Sequence, residues 1–488
     1  MLFNSYEFIF AFLPLTFCIY FYLNHKRLTL ASKGFLVFSS LFFYSWWNIL
    51  YLPLILSSML FNYVAGNILA NEKKYSRNRF SKKSILTFSI ISNIALIAYF
   101  KYSDFFIQNV NYVFNSKIQF LNLALPLAIS FFTFQQIAYL VDSYRQETTE
   151  YDFLNYSVFV TFFPQLIAGP IVHHKEMMPQ FETLKNKVVN YKNISLGLFI
   201  FSAGLFKKVV IADKFAIWAT NGFDASNALT LLDAWITSLS YSFQLYFDFS
   251  GYTDMAIGLA LLFNIKLPIN FNSPYKAKNI QEFWSRWHIT LSRFLKDYIY
   301  IPLGGNRKGN FRTYYNLLAT FILGGLWHGA GWTFIFWGAL NGFALIIHRV
   351  WSKSGFKLWS WLRWFITFNF LNIAWVFFRA KEWNDAIQIL KSMFSLDGLV
   401  LPEFLEKNLS FLSAYGIFFG QLTEGINGDD PTIIWIFSGF VIVLFFKNSI
   451  EHLENFKLNY KTALLSGIYF VVSVLSLNKV SEFLYFNF

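Results

Sequence analysis

Apolar stretches long enough to cross a bilayer recur along this chain, and polar, mostly basic loops separate them. Residues 8–23 form the first stretch. His25, Lys26, Arg27 and Lys33 follow it, which predicts an outside N-terminus and an inside first loop. Residues 34–70 hold two spans, a hairpin that goes out and returns to a loop carrying Lys73, Lys74, Arg77, Arg79, Lys82 and Lys83. Residues 85–100 then lead outward and 121–141 lead back. Residues 153–168 are apolar, but Pro164 and Gly169-Pro170 predict a broken or re-entrant element. Further spans are expected over 194–218, 231–247 and 358–378, and a last hairpin over 433–446 and 464–477. An even number of crossings puts both termini outside.

Two segments depart from the simple spanning pattern. In residues 283–300, Trp284, Trp287, Leu291, Phe294, Leu295 and Tyr298 fall on one helical face, and Arg286, Thr290, Arg293 and Asp297 fall on the other. This predicts an amphipathic helix at a membrane surface or cavity wall, with His288 on the shoulder of its apolar face. Pro302 and Gly304-Gly305 end that helix, and Asn306, Arg307 and Lys308 make a basic turn. Residues 320–342, TFILGGLWHGAGWTFIFWGALNG, are apolar enough for a membrane yet carry His328 among Gly324, Gly325, Gly329 and Gly331. An ionisable side chain at membrane depth is costly and usually faces the protein interior or a water-filled path.

Composition fixes the class. The 488 residues are 56% hydrophobic and 14% charged, where soluble domains carry roughly a quarter charged residues. The chain is therefore read as a polytopic membrane protein and a soluble enzyme is excluded. The net charge of +13 fits basic cytoplasmic loops, attraction to anionic lipid or an anionic ligand, and gives no reason to invoke nucleic acid. With Cys18 as its one cysteine, the chain has no intrachain disulfide and no cysteine metal site. The first apolar run lacks a basic leader and an A-x-A site, so it reads as a retained helix.

The candidate chemistry centres on histidine. A lone histidine in a membrane helix most often hydrogen-bonds a carbonyl. The glycines and Trp327 and Trp332 beside His328 favour a functional imidazole, one that takes a proton from a hydroxyl and later returns it. His288 is open between an interfacial role and a catalytic one. Arg293 and Lys296, with Arg286, Arg307 and Lys308, either snorkel to headgroups or form a phosphate-binding rim for an anionic donor such as a coenzyme A thioester. No Walker pattern, HExxH motif or G-x-S-x-G element accompanies them, so neither a metal site nor a serine triad is expected. Asp248 and Asp254 read as structural, and His173 and His174 as loop residues. A transporter or flippase of a polymer precursor is the alternative class; the lack of two matching halves counts against it.

These residues lie in motifs that resemble the membrane-bound O-acyltransferase superfamily, in its bacterial branch that O-acetylates alginate and peptidoglycan. The motifs are SFFTFQQIAYLVDSYR (130–145), FFPQLIAGP (162–170), FDFSGYTDMAIG (247–258), NFNSPY (270–275), FWSRWHITLSRFLKDYIYIPLGGNRKG (283–309) and LGGLWHGAGWTFIFWGALNG (323–342). The resemblance implies a single integral-membrane domain over 1–488, with core motifs in 130–342 and a C-terminal hairpin and tail in 431–488. It implies an all-α fold of about ten or more transmembrane helices, with re-entrant and amphipathic helices around a central funnel. His328 matches the family's catalytic histidine and His288 its second histidine. The donor implied is cytosolic acetyl-CoA, with no metal. The implied partners are an extracytoplasmic SGNH-type acetyltransferase, a cell-envelope polysaccharide and membrane lipid, at the bacterial cytoplasmic membrane. The terminal residues 483–488, FLYFNF, resemble an aromatic hexapeptide whose tyrosine, here Tyr485, is proposed in the branch to carry the acyl group; an interfacial aromatic anchor is the plainer reading.

Overall fold

The computed structural model describes residues 1–71, 81–148, 150, 152–167, 169–225, 229–395, 399–429, 431–477 and 484. About three quarters of the chain is helical (76%). The strands among the described residues are Val400–Pro402 and Phe418–Gly420, paired in parallel. Six helices among the described residues are long and apolar enough to cross a membrane, or seven if Pro431–Phe445 and Ser449–Asn455, bent by 42°, make one span. The count of ten or more expected from the resemblance is not reproduced by that measure. One reason is visible in the helix Leu231–Leu262. It is 32 residues long, but it carries Asp233, Asp248, Asp254 and many hydroxyls, which suit a protein interior and lower its apolar content.

The sequence pattern holds in places and fails in others. The hairpin in 34–70 is present as Thr29–Ser45 and Leu52–Ala70. The break near Pro164 separates Phe153–Thr161 from the short helix Phe163–Leu166. The return over 121–141 is shorter than expected, because helix starts only at Ile129, after Pro126. The span expected over 231–247 does not end there; one helix, Leu231–Leu262, carries it and the FDFSGYTDMAIG motif.

The chain falls into two compact units. The first comprises Met1–Phe206, Tyr252–Asn270 and His452–Phe488. Polar side chains pair between its helices, where lipid offers no alternative partner. The buried amides of Asn62 and Asn93 exchange hydrogen bonds of 3.1 and 2.7 Å. Gln136 donates to Ser58 at 3.1 Å and accepts from the Tyr156 hydroxyl at 3.0 Å. The expectation that His173 and His174 are plain loop residues is corrected here. Both are buried, with His173 Nδ1 3.3 Å from Asp142 and His174 bracketed by Thr148 at 3.0 Å and Glu150 at 3.3 Å. Two imidazoles next to two buried carboxylates satisfy groups that would otherwise be costly to bury.

The second unit comprises Lys207–Gly251 and Phe271–Glu451 and holds both candidate histidines. Its centre is an antiparallel helix hairpin, Gly309–His328 and Trp332–Lys353, turned at residues 329–331. Small residues let the two backbones touch: a Cβ built at Gly325 would collide with the Phe334 carbonyl oxygen, and one at Gly338 with that of Phe321. Ser360–Arg379 packs beside this hairpin. A buried ion group, Lys208 with Asp213 at 2.9 Å and Asp248 at 2.6 Å, ties the start of this unit to the long helix.

Candidate active site

The amphipathic helix expected over 283–300 is broken. Helix runs over Ile280–Arg286, stops, and resumes over Ile289–Leu295. The stop is His288, whose φ of 44° lies in the left-handed region that non-glycine residues seldom occupy. Burial holds it there. His288 is fully buried, its ring edge-on to Phe249 at 4.7 Å between centroids, and its carbonyl accepts from the Ser292 N–H at 3.0 Å. The shoulder position expected for His288 is therefore corrected: the kink turns the residue inward, which a continuous helix would not do. His288 lies outside the spanning helices, and burial pushes its pKa down to about 3, so the imidazole is neutral at physiological pH.

His328 is the last residue of its helix. Gly329 and Gly331 continue in extended backbone, and the next helix starts at Trp332. The His328 ring is packed by Trp327 at 4.7 Å, Phe378 at 5.1 Å and Trp337 at 5.2 Å between centroids. Trp327 also meets His288, at 6.3 Å. Around them Trp287, Trp337 and Trp375 are buried, with Trp375 5.1 Å from Trp287 and 5.6 Å from Trp337. Dense aromatic packing of this kind fixes ring orientation.

His328 opens on one cavity of about 670 Å³. That volume is within the ~300–1,000 Å³ of small-molecule sites. Leu317, Thr320, Gly324 and His328 lie at helical spacing and all line it, so the cavity follows this helix for roughly 16 Å. The opposing wall is the broken segment, which contributes Trp284, Leu291, Leu295, Arg293, Lys296, Asp297 and Tyr300. Trp284 is fixed by its indole N–H donating to Asn341 at 3.2 Å. Most of the lining is apolar. The charged groups come from one short stretch, where Asp297 lies 3.8 Å from Arg293.

The cavity thus brings His328, Arg293 and Lys296 together. His288 is not part of its lining, and Arg307 and Lys308 lie outside it, exposed in the turn after residue 300. Tyr485 lies outside the described residues. Two cations were missed from sequence. Arg349 donates to Asn306 at 3.5 Å and Lys353 donates to Asn310 at 2.9 Å, which sets both beside the Arg307–Lys308 turn. Burial raises the pKa of cavity residue Tyr300, and the nearby Arg349 charge offsets part of that rise. A signal for this basic cluster was present: the sequence has no Asp or Glu between Asp297 and Glu382.

The cavity offers apolar walls, a short charged stretch and one imidazole. The sequence model of the membrane-bound O-acyltransferase family matches residues 8–381. The chain belongs to that family. It is similar to a peptidoglycan O-acetyltransferase of Helicobacter pylori, 49% identical over 100% of this chain and 98% of that protein. It is also similar to a probable alginate O-acetylase of Pseudomonas aeruginosa, 39% identical over 84% of this chain and 78% of the relative. A teichoic acid D-alanyltransferase of Bacillus subtilis is 28% identical over 54% of this chain and 71% of its own length. As a member of this membrane-bound O-acyltransferase family, the protein is a membrane-integral acyltransferase.

Proposed function

We propose that the protein transfers acetyl groups from cytosolic acetyl-CoA toward hydroxyls of a cell-envelope polysaccharide, with peptidoglycan favoured over alginate. The choice of polymer rests on the greater similarity to the Helicobacter pylori enzyme. The observation that carries the reaction is the cavity in which His328 faces a wall bearing Arg293 and Lys296. Arg293 and Lys296 hold the donor's phosphates, with Arg307 and Lys308 at the adjoining turn. His328, as a neutral imidazole, accepts the proton of the acceptor hydroxyl while its oxygen attacks the thioester carbonyl. The C–O bond forms, the C–S bond breaks, and the proton passes from His328 to the leaving thiolate. On sequence, the acceptor we assign is Tyr485, from which an extracytoplasmic acetyltransferase of the SGNH type takes the group on to the polymer. Cytoplasmic-membrane residence belongs to the same proposal.

The test is transfer of labelled acetyl from acetyl-CoA by purified protein. His328→Ala should lower it by about 10²–10⁴-fold, with the protein still inserted and monodisperse in detergent. Near-normal transfer by that variant would overturn the proposal. A carrier that moves a precursor without chemistry would leave the thioester intact in both proteins. Tyr485→Phe tests the acceptor: retained acetylation reduces the hexapeptide to an anchor.

A further inference from the structure

Asn341 lies inside the helix Trp332–Lys353, one turn after Trp337, and is completely buried. A buried amide needs partners for its oxygen and its nitrogen. Here the nitrogen donates to the Trp337 carbonyl oxygen at 2.9 Å, and the oxygen accepts from the Trp284 indole N–H at 3.2 Å. A carbonyl can only accept and an indole N–H can only donate, so the amide has one workable orientation. Asn341 does not line the cavity, but both tryptophans do. Trp284 comes from the helix Ile280–Arg286 and meets one ring from each helix of the hairpin, Phe321 at 5.0 Å and Trp337 at 5.8 Å between centroids. Trp337 is in turn edge-on to His328, at 5.2 Å.

We infer that Asn341 is a positioning residue for acyl transfer: it fixes the Trp284 ring, and through Trp284 and Trp337 the cavity face beside His328. The inference rests on the acyl-transfer reading of the cavity. Edge-to-face ring contacts are weakly directional and tolerate more than one indole orientation. A hydrogen bond to the indole N–H is directional and admits one. An apolar side chain at 341 would pack the helix as well, without the cost of burying an amide; what the amide adds is a fixed Trp284. Misplacing groups around a reacting centre by about an ångström costs up to about 100-fold in rate.

The experiment measures kcat and KM for acetyl transfer from acetyl-CoA by purified full-length protein, with the thermal midpoint of each variant. The proteins are native, Asn341→Leu, Trp284→Phe, their double variant, and His328→Ala. Asn341→Leu keeps the branching of the side chain and removes both polar atoms; Trp284→Phe keeps a ring and removes the N–H. Asn341→Leu should lower kcat by about 10–100-fold with a smaller change in KM. The double variant should lose no more than about threefold beyond the worse single one, because either change already breaks the same bond. A residue that only braces its helix would lower the thermal midpoint and leave kcat of the folded protein unchanged. Unchanged kcat in Asn341→Leu, a loss confined to KM, or losses that multiply in the double variant would each overturn the inference. So would native kcat in Trp284→Phe, which leaves the helix around Asn341 untouched. Fluorotryptophan labelling adds a readout besides activity. The Trp284 fluorine signal, assigned by its loss in Trp284→Phe, should shift in Asn341→Leu, and an unmoved signal counts against the inference as well. Transfer by native protein no better than by His328→Ala would instead defeat the acyl-transfer reading, and the Trp284 signal would still decide whether Asn341 holds that ring.

Discussion

His288 and Trp327 meet edge to face, with ring centroids 6.3 Å apart, and the same indole lies 4.7 Å from the ring of His328. His288 does not line the cavity. In the proposed mechanism it acts as a positioning residue: it packs against Trp327, which packs against the His328 imidazole. His288→Ala should lower kcat by roughly 10–100-fold, the range expected from misplacing a catalytic group by about an ångström. Because His288 is neutral at working pH, the acid limb of the pH–rate profile should not move in that variant. A displaced limb in steady-state assays would show that His288 itself exchanges the proton.

The same burial makes His288 a determinant of acid stability. Its folded pKa is lowered to about 3 while an exposed histidine titrates near 6.5. Between those values the unfolded chain binds the extra proton, so stability rises with pH through this window. The contribution is fully present above about pH 6.5 and is lost as pH falls toward 3. His288→Gln removes the titrating group. Its thermal midpoint should fall less than that of native protein between pH 6.5 and 4.5, measured by melting in detergent at matched ionic strength. Parallel curves would refute the assignment.

Much of this site was legible in the sequence because its motifs are contiguous. The glycine-rich setting of His328 and the cations at 293 and 296 lie within short stretches, and the fold brings them to one cavity. The helical spacing of 283–300 placed Trp284 and Leu295 on the correct wall but missed the break, since no local glycine or proline announces a left-handed turn at His288. That turn is enforced by burial against Phe249, about forty residues away in the chain. Arg349 and Lys353 were missed for the same kind of reason. Their partners Asn306 and Asn310 lie 43 positions away in the chain and meet them only once the hairpin folds back. The continuity of Leu231–Leu262 was hidden because its aspartates look like a helix end, whereas Asp248 is paired inside the protein.

That pairing carries its own expectation. Lys208 and Asp248 are almost wholly buried, 2.6 Å apart, and Asp213 adds a second contact to the same ammonium at 2.9 Å. Removing one partner of a buried ion pair strands the other, at about 3–5 kcal/mol. Lys208→Met should therefore lower the thermal midpoint sharply. Adding Asp248→Asn should recover part of the loss, because the stranded charge is then gone. Additive losses in the double variant would mean that the two residues act independently.

In the proposed function, the basic cluster beside the Arg307–Lys308 turn predicts a split between binding and chemistry. Arg349 and Lys353 reach the Arg307–Lys308 turn but do not line the cavity, and Arg349 lies near enough to Tyr300 to affect its ionisation. In the proposed reaction, charges in this position would act on the anionic head of the donor and not on the reacting carbonyl. Arg349→Gln and Lys353→Gln should raise KM for acetyl-CoA several-fold each while kcat changes little, since binding lost equally from ground and transition state leaves the chemical step intact. Raising the salt should raise the native KM and shrink the difference between native and variant, because exposed charges are screened over about 8–10 Å at 0.1–0.15 M ionic strength. A donor lacking the nucleotide, such as an acetylated pantetheine, has no such head. Its KM should be the same in native protein and both variants, and insensitive to salt. If the variants weakened that donor as much as acetyl-CoA, the cluster would be bracing the hairpin instead of holding phosphate.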